Sequence, residues 1–424
     1  MAIKILVTGD IHLGRRSGSI DNSSLYGSIR YIWEEIVSRA IESSIDIVAL
    51  TGDVVDRDNR YFEAIGPLQE GFEKLENAGI QVVVIAGNHD FDVLPELLDA
   101  RYFSNVVLLG RGQRWEKQTL IVRGKPVIFT GWSFASRHVG EDPLLSFDLE
   151  INEPEIPVIG MIHGDVDIPL SRYAPMSRAG FRHKGVDVWL LGHIHQRSIL
   201  MDRPLVLYPG SPQALDAGEK GEHGPVLLTI DHKESIRHES FSWSPVRYEN
   251  IEMDVTGISP DHLRGELIEN LRRKTESLDT EHQRELLYDV DLIGECQDIS
   301  MVEERLRQAE EAEFSVEECR VRIRKINVSR LQVKIQNLEE LARQKSPVGM
   351  IAEVMMAIKE EKENEFLQKL RFQLKKIHQE IRRRGTFNDI EAARSEATDE
   401  FVDEILWQQC NQLLSELIGQ KENV

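Results

Sequence analysis

Cysteine is scarce in this 424-residue chain: Cys296, Cys319 and Cys410 are the only three, far apart and outside any Cys-x-x-Cys pair. A disulfide framework and a thiolate zinc site are thereby excluded, and a reducing cytosol is the expected compartment. Long apolar runs are missing as well, so no membrane span is expected. Met1-Ala2-Ile3-Lys4-Ile5-Leu6-Val7 shows no charged region leading into a long apolar stretch, and export is not expected either. Positive charge is in deficit: 51 Lys and Arg face 72 Asp and Glu, a formal charge of −21. General electrostatic attraction to nucleic acid is not to be assumed, and any polyanion must be bound locally. Internal repeats and low-complexity tracts are absent. With 41% hydrophobic and 29% charged residues, a soluble globular chain of two or three domains is expected.

What is present is one recurring pattern, up to about Trp243. A short apolar, β-branched run stops at a cluster of Gly, Asp, Asn or His. Ile3–Val7 runs into Thr8-Gly9-Asp10-Ile11-His12, Ile45–Leu50 into Thr51-Gly52-Asp53, and Val82–Ala86 into Gly87-Asn88-His89-Asp90. Val158–Ile162 runs into His163-Gly164-Asp165, and Val186–Leu191 into Gly192-His193-Ile194-His195. Such runs predict strands buried on both faces. Helical periodicity between them, as in Tyr31-Ile32, Ile36-Val37 and Ala40-Ile41, makes the region an α/β layered sheet. Open α/β sheets form ligand crevices at the carboxyl ends of their strands, so five polar clusters are aimed at one place.

Around Ser244-Pro245 the pattern changes. Arg247–Val255, Leu286–Ile293 and Cys319–Val328 alternate as strands do, with predicted helices at Ser259–Ser277 and Met301–Ala312 between them. Past Ser346-Pro347 only two helical stretches are expected, Val348–Arg384 and Asn388–Ile418, divided by Gly385-Thr386-Phe387. The expected domains are 1–243, 244–330 and 331–424.

Asp10, His12, Asp53, Asn88, His163, His193 and His195 make a set of two carboxylates, one amide and four imidazoles. Oxygen and nitrogen ligands without thiolate suit Mn2+, Fe2+ or Zn2+, and seven are too many for one tetrahedral ion. They suit two. Asp53 is the natural bridging carboxylate, because two neighbouring cations need a shared anion. A lone histidine at a strand end is more often structural; five clusters in succession reverse that.

The order Asp-x-His, Gly-Asp-x-x-Asp, Gly-Asn-His-Asp, His, Gly-His-x-His resembles the calcineurin-like metallophosphoesterase superfamily over about residues 1–243. The resemblance implies a two-sheet layered metallophosphoesterase fold with a small α/β cap domain and a helical C-terminal tail. It implies that Asp10, His12, Asp53 and His195 hold one metal and Asp53, Asn88, His163 and His193 the other. His89 would face the scissile phosphate and protonate the leaving oxygen, and Asp90 would orient His89. Asp10-Ile11-His12-Leu13-Gly14 and Tyr208-Pro209-Gly210-Ser211-Pro212-Gln213-Ala214-Leu215-Asp216 resemble the SbcD-type DNA repair exonucleases, with a YhaO-like subgroup as a further match. Residue 56 departs: it is Asp where archaeal and eukaryotic members often have His. Asp90 departs from the Gly-Asn-His-Glu of Ser/Thr protein phosphatases.

The family implies a metal-dependent DNA exo- and endonuclease subunit of DNA repair, cytoplasmic, homodimeric and using two divalent ions, Mn2+ first. Its helical C-terminal region would grip an SbcC-type SMC-like ATPase. Two other readings share the ligands: a nucleotide phosphodiesterase, and a catalytically silent scaffold.

The window 51–100 holds three basic and eleven acidic residues, a field that bound cations must invert before DNA can approach. Arg15, Arg16, Arg57 and Arg60 stand beside the ligands as phosphate contacts or as surface ion-pair partners. The run Lys369–Arg384, with Lys369, Arg371, Lys375, Lys376, Arg382, Arg383 and Arg384, could face a phosphate backbone, an acidic helix or solvent. His138, His183 and His223 are expected at the surface. Met350, Ile351, Val354, Met355, Met356 and Ile358 form a stripe expected to be core or a helix seam.

Overall fold

The computed structural model describes residues 2–58, 64–310, 313–333, 338–360, 362, 364–384 and 397–422. The chain divides into two compact units, Met1–Glu249 with Asp279–Leu287 and Phe314–Val321, and Asn250–Leu278 with Tyr288–Glu313 and Arg322–Val424.

The first unit contains β1 (Ile3–Thr8), α1 (Ile29–Glu42), β2 (Ile47–Leu50), α2 (Ile65–Asn77), β3 (Gln81–Val84), α3 (Val93–Ala100), β4 (Val106–Leu108), β5 (Glu116–Val122) and β6 (Lys125–Trp132). It continues with β7 (Val158–His163), β8 (Val188–Gly192), β9 (Ser198–Asp202), β10 (Leu205–Tyr208), β11 (Val226–His232) and β12 (Ser235–Ser240). Two six-stranded sheets result, ordered β12-β11-β1-β2-β3-β4 and β5-β6-β7-β8-β10-β9. The central strands β1, β2, β3 and β4 pair in parallel, as do β6, β7, β8 and β10. β11, β12, β5 and β9 join their neighbours antiparallel.

Two-residue alternation sorts each strand between layers. Ile5 and Val7 of β1 join Phe129, Met161 and Leu190 in a core between the sheets. Leu6 points the other way, into a core built with Ile32, Trp33 and Ile36 of α1 and Leu68 and Phe72 of α2. The outer face of the second sheet, with Ile128, Ile162 and Trp189, is covered by residues of loops and short 3-10 helices such as Trp115, Leu144 and Phe181. Apolar side chains thus leave both faces of each sheet, which is why the runs read as continuous rather than alternating.

Beyond β12 come β13 (Val246–Asp254), α4 (Leu263–Glu276), β14 (Glu285–Cys296), α5 (Ile299–Glu310), β15 (Glu313–Val316) and β16 (Cys319–Val333), the strands forming a sheet ordered β13-β14-β16-β15. β15 lies outside the expected elements. Then follow α6 (Leu338–Ala342), α7 (Pro347–Lys359), α8 (Glu365–Arg384) and α9 (Asp399–Glu422). The single stretch expected at Val348–Arg384 is two helices, and Asn364 starts the second by accepting the N–H of Phe366 at 2.7 Å. Val354 and Met355 are buried with Leu367, Val402 and Leu406, whereas Met350 is 55% exposed, so only part of the stripe is core. Gly385-Thr386-Phe387 lies outside the described residues. No described helix is long and apolar enough to cross a membrane.

Candidate metal centre

The parallel strands of each sheet end together: Thr8 aligns with Leu50, Leu50 with Val84, and His163 with Gly192. The segments that follow β1, β2, β3 and β8, with the last residue of β7, carry every expected ligand. Asp10, His12, Asp53 and His193 have φ of 50°, 53°, 49° and 99°, a left-handed backbone uncommon in non-glycine residues, Asp and His adopting it more readily than most. Four such residues in one place are strain concentrated where several side chains must converge. Gly52, at φ 95°, leaves room that a Cβ would close, since it would stand 2.7 Å from Nδ1 of His163. Cβ atoms at Gly87 and Gly192 would collide with Asp53 Oδ1 and with the Thr51 carbonyl.

Two triads form. In one, Asp10, His12 and His195 bring their donor atoms within 4.8 Å of one another; in the other, Asp53, His163 and His193 do the same. Nε2 of His12 lies 3.3 Å from Nε2 of His195 and 3.9 Å from Asp53 Oδ2. Asp53 Oδ2 is 3.4 Å from His163 Nε2, which also meets Asn88 Oδ1 at 3.1 Å. Asp53 therefore belongs to one triad and adjoins the other. Asp10 accepts the His193 N–H at 2.9 Å, and His163 Nδ1 donates to the Thr51 carbonyl at 3.0 Å, which leaves Nε2 for the centre. A third group, His12, Asp56 and His89, also gathers within 4.8 Å.

Burial pushes the Asp10 carboxyl up, against the pull of His163 and His195. Burial would raise Asp53 as well, but the charge and hydrogen bond of His163, with His12 and His89 beside it, hold it well below the usual carboxylate range. Burial alone would lower His163, yet Asp53 and Asp10 raise it to about 9, whereas His193, buried beside His163, is pushed down to about 3. A proton on His163 supplies the positive charge that buried Asp53 requires. A divalent cation supplies the same charge and takes the imidazole neutral. Two carboxylates, four imidazoles and an amide converging without thiolate fit divalent ions with mixed oxygen and nitrogen coordination.

His89 is one-third exposed at this site. Burial pushes its imidazole below the ordinary value, with Asp53 and Asp56 opposing. Its Nδ1 faces Asp56 Oδ1 at 3.7 Å, and its ring stands edge-on to His12 at 4.7 Å. Asp90 does not orient it. Adjacent in sequence, Asp90 turns the other way and is fully buried, accepting the N–H of Val54 and of Gly87, each at 2.7 Å. Burial and the nearby Asp53 push the Asp90 carboxyl up to about 7.

Three acidic residues beside the centre were not among the expected site residues. Asp56 Oδ1 lies 3.5 Å from His12 Nδ1, Asp165 Oδ1 lies 3.6 Å from His193 Nε2, and Glu219 Oε1 lies 2.7 Å from His195 Nδ1. Asp56 and Asp165 sit inside the strand-end clusters and could have been found there; Glu219 follows no such cluster. His223 is buried at 2% exposure rather than at the surface, where His138 and His183 do lie. Arg16 donates to the Ser24 carbonyl at 2.5 Å, Arg57 is exposed, and Arg60 lies outside the described residues. In the basic run, Arg371 pairs with Asp403 and Lys375 with Asp399, both of α9, while the side chains of Arg382, Arg383 and Arg384 lie outside the described residues.

Residues 3–197 match the family described as calcineurin-like phosphoesterase. This segment is a calcineurin-like metallophosphoesterase domain. The chain carrying this metallophosphoesterase domain is 30% identical over 236 residues to the uncharacterized metallophosphoesterase YhaO of Bacillus subtilis, covering 55% of this chain and 56% of that one. It is 23% identical over 299 residues to the DNA double-strand break repair protein Mre11 of Methanopyrus kandleri, covering 62% and 61%. Over 89 residues it is 32% identical to the SbcD component of the SbcCD nuclease of Staphylococcus epidermidis, covering 21% and 23%. Each match spans less than two thirds of the relative's own length.

Proposed function

We propose that this chain is a nuclease subunit that hydrolyses phosphodiester bonds in DNA with two divalent cations, Mn2+ first. Asp10, His12, Asp53 and His195 would hold one cation, and Asp53, Asn88, His163 and His193 the other. The observation that carries the reading is Asp53, the carboxylate of one triad, standing 3.9 Å from His12 of the other, with His89 beside them. Relatives named a DNA double-strand break repair protein and a component of a nuclease support DNA as the substrate.

Bound there, the cations would supply Lewis acidity toward a phosphate oxygen and a water nucleophile at neutral pH. The chain's own groups do the rest. Strand-end backbone strain fixes the donor directions in advance, so little reorganisation is left for the reaction. With Nδ1 of His89 toward Asp56, Nε2 is the nitrogen that serves the substrate. The negative charge of a bound phosphodiester favours the protonated ring, which then gives its proton to the leaving 3′ oxygen.

The partner in this reading is an SbcC-type SMC-like ATPase gripped by the helical C-terminal region of a cytoplasmic homodimer. Phe366, Phe372 and Ile377 of α8 are 45%, 71% and 53% exposed, apolar surface of the kind a partner helix covers.

Competitive kinetics test the substrate. With Mn2+, the chain is expected to cut oligonucleotide DNA weakly alone, more strongly beside an SbcC-type ATPase, and less as salt rises, because a protein of charge −21 depends on local phosphate contacts. A higher specificity constant for a cyclic nucleotide, with no DNA cleavage even beside the ATPase, would make the chain a nucleotide phosphodiesterase instead. Absence of turnover on either substrate, with metals bound, would make it a silent scaffold.

A further inference from the structure

Tyr208-Pro209-Gly210-Ser211-Pro212-Gln213-Ala214-Leu215-Asp216 contributes no ligand, yet it ends beside one. Nδ1 of His195 stands 2.7 Å from Oε1 of Glu219, and the two side chains are only 24% and 17% exposed. The other carboxylate oxygen, Oε2, accepts the N–H of Leu215 at 3.0 Å and the hydroxyl of Ser211 at 3.2 Å. Behind Ser211 lies His223, whose Nδ1 is 3.0 Å from the Ser211 hydroxyl and 3.1 Å from the Ser211 carbonyl.

Counting donors fixes the protons. An ionised carboxylate only accepts, so Nδ1 of His195 carries the hydrogen between them. His223 faces a carbonyl and donates from Nδ1, which frees the Ser211 hydroxyl hydrogen for Glu219. Three donors reach the Glu219 carboxylate from three directions, and a group held in this way cannot swing. With its Nδ1–H committed, His195 keeps the lone pair on Nε2, the nitrogen that lies 3.3 Å from Nε2 of His12. Without the carboxylate, the ring is free to carry its proton on Nε2, which would remove that lone pair from the centre.

We propose that Glu219, braced by Ser211 and Leu215, is the positioning residue that holds His195 in the Nδ1–H tautomer, and that the 208–219 segment presents it. The inference rests on His195 being a metal ligand and is independent of which phosphodiester is cut.

Two measurements on the full chain test it. In the wild-type chain loaded with Zn2+ as a diamagnetic ion, 15N NMR of labelled histidine is expected to show His195 with a slowly exchanging hydrogen on Nδ1. This needs no variant to fold, and a hydrogen on Nε2 instead would overturn the proposal. Calorimetric titration with Mn2+ is expected to show two sites in the wild type. In Glu219→Gln, one site should weaken about 10–100-fold while the other keeps its affinity. Ser211→Ala keeps the carboxylate and its Leu215 bond, and should weaken the same site less than tenfold. Two sites of wild-type affinity in Glu219→Gln would overturn the positioning role alone. Equal weakening of both would mark Glu219 as a general fold residue and overturn it too. A wild-type chain that binds no Mn2+ would overturn the ligand reading beneath it, and this inference with it.

Discussion

The main-chain N–H of His89 donates to Oδ1 of Asp53 at 2.8 Å, while Oδ2 of the same carboxylate faces Nε2 of His163 at 3.4 Å. One side chain of the second triad thus holds the backbone of the proposed proton donor and stands beside His12 of the first. Asp53→Ala should therefore lose both metals and also misplace His89. Mass spectrometry of metal content after Mn2+ reconstitution checks it, and a full metal complement in this variant would contradict the bridging role.

His89→Ala and Asp90→Ala should fail differently. His89→Ala removes a partly exposed ring and should keep both metals and the fold while losing about 10²–10⁴-fold in turnover. The loss should be smaller on an activated aryl phosphodiester, whose leaving oxygen needs no proton.

Asp90→Ala leaves the buried N–H groups of Val54 and Gly87 without an acceptor, at about 1–3 kcal/mol each. Its expected signature is faster hydrogen exchange at those two amides and a lower unfolding temperature, with activity lost through the fold. A variant that exchanges as slowly as the wild type but turns over poorly would instead place Asp90 in the chemistry.

These residues also show what a sequence can and cannot reveal. Asp10, Asp53, His163 and His193 were legible because buried parallel strands declare themselves as apolar runs, and their carboxyl ends must meet at one crevice. The orienting role expected of Asp90 fails because neighbours in sequence at a sharp turn point apart, and a buried carboxylate goes to the unpaired amides nearest it. Glu219 was invisible, since it reaches His195 from across a turn whose length no spacing rule sets. β15, four residues long, carries too few side chains for a period to appear. The break between α7 and α8 comes at polar residues without Pro or Gly, so a helical period runs through it unaltered.

In α8 and α9, Arg371 donates from Nε to Asp403 Oδ1 at 2.7 Å and from Nη2 to Oδ2 at 2.5 Å, both side chains less than one-fifth exposed. Arg371→Ala should destabilise the unit holding α7, α8 and α9 by about 1.5–3 kcal/mol, the range for hydrogen bonds to a charged group. Hydrolysis of a small aryl phosphodiester should stay within twofold of wild type. Unchanged hydrogen exchange in these helices would show instead that the pair contributes little to stability, as an exposed pair does.

Anomalous diffraction from crystals grown with Mn2+ tests the dinuclear centre most directly. Two peaks about 3.5–4 Å apart are predicted, one against Asp10, His12 and His195, the other against Asn88, His163 and His193, with Asp53 between them. A single peak under saturating Mn2+, or two peaks with Asp53 ligating neither, would contradict it.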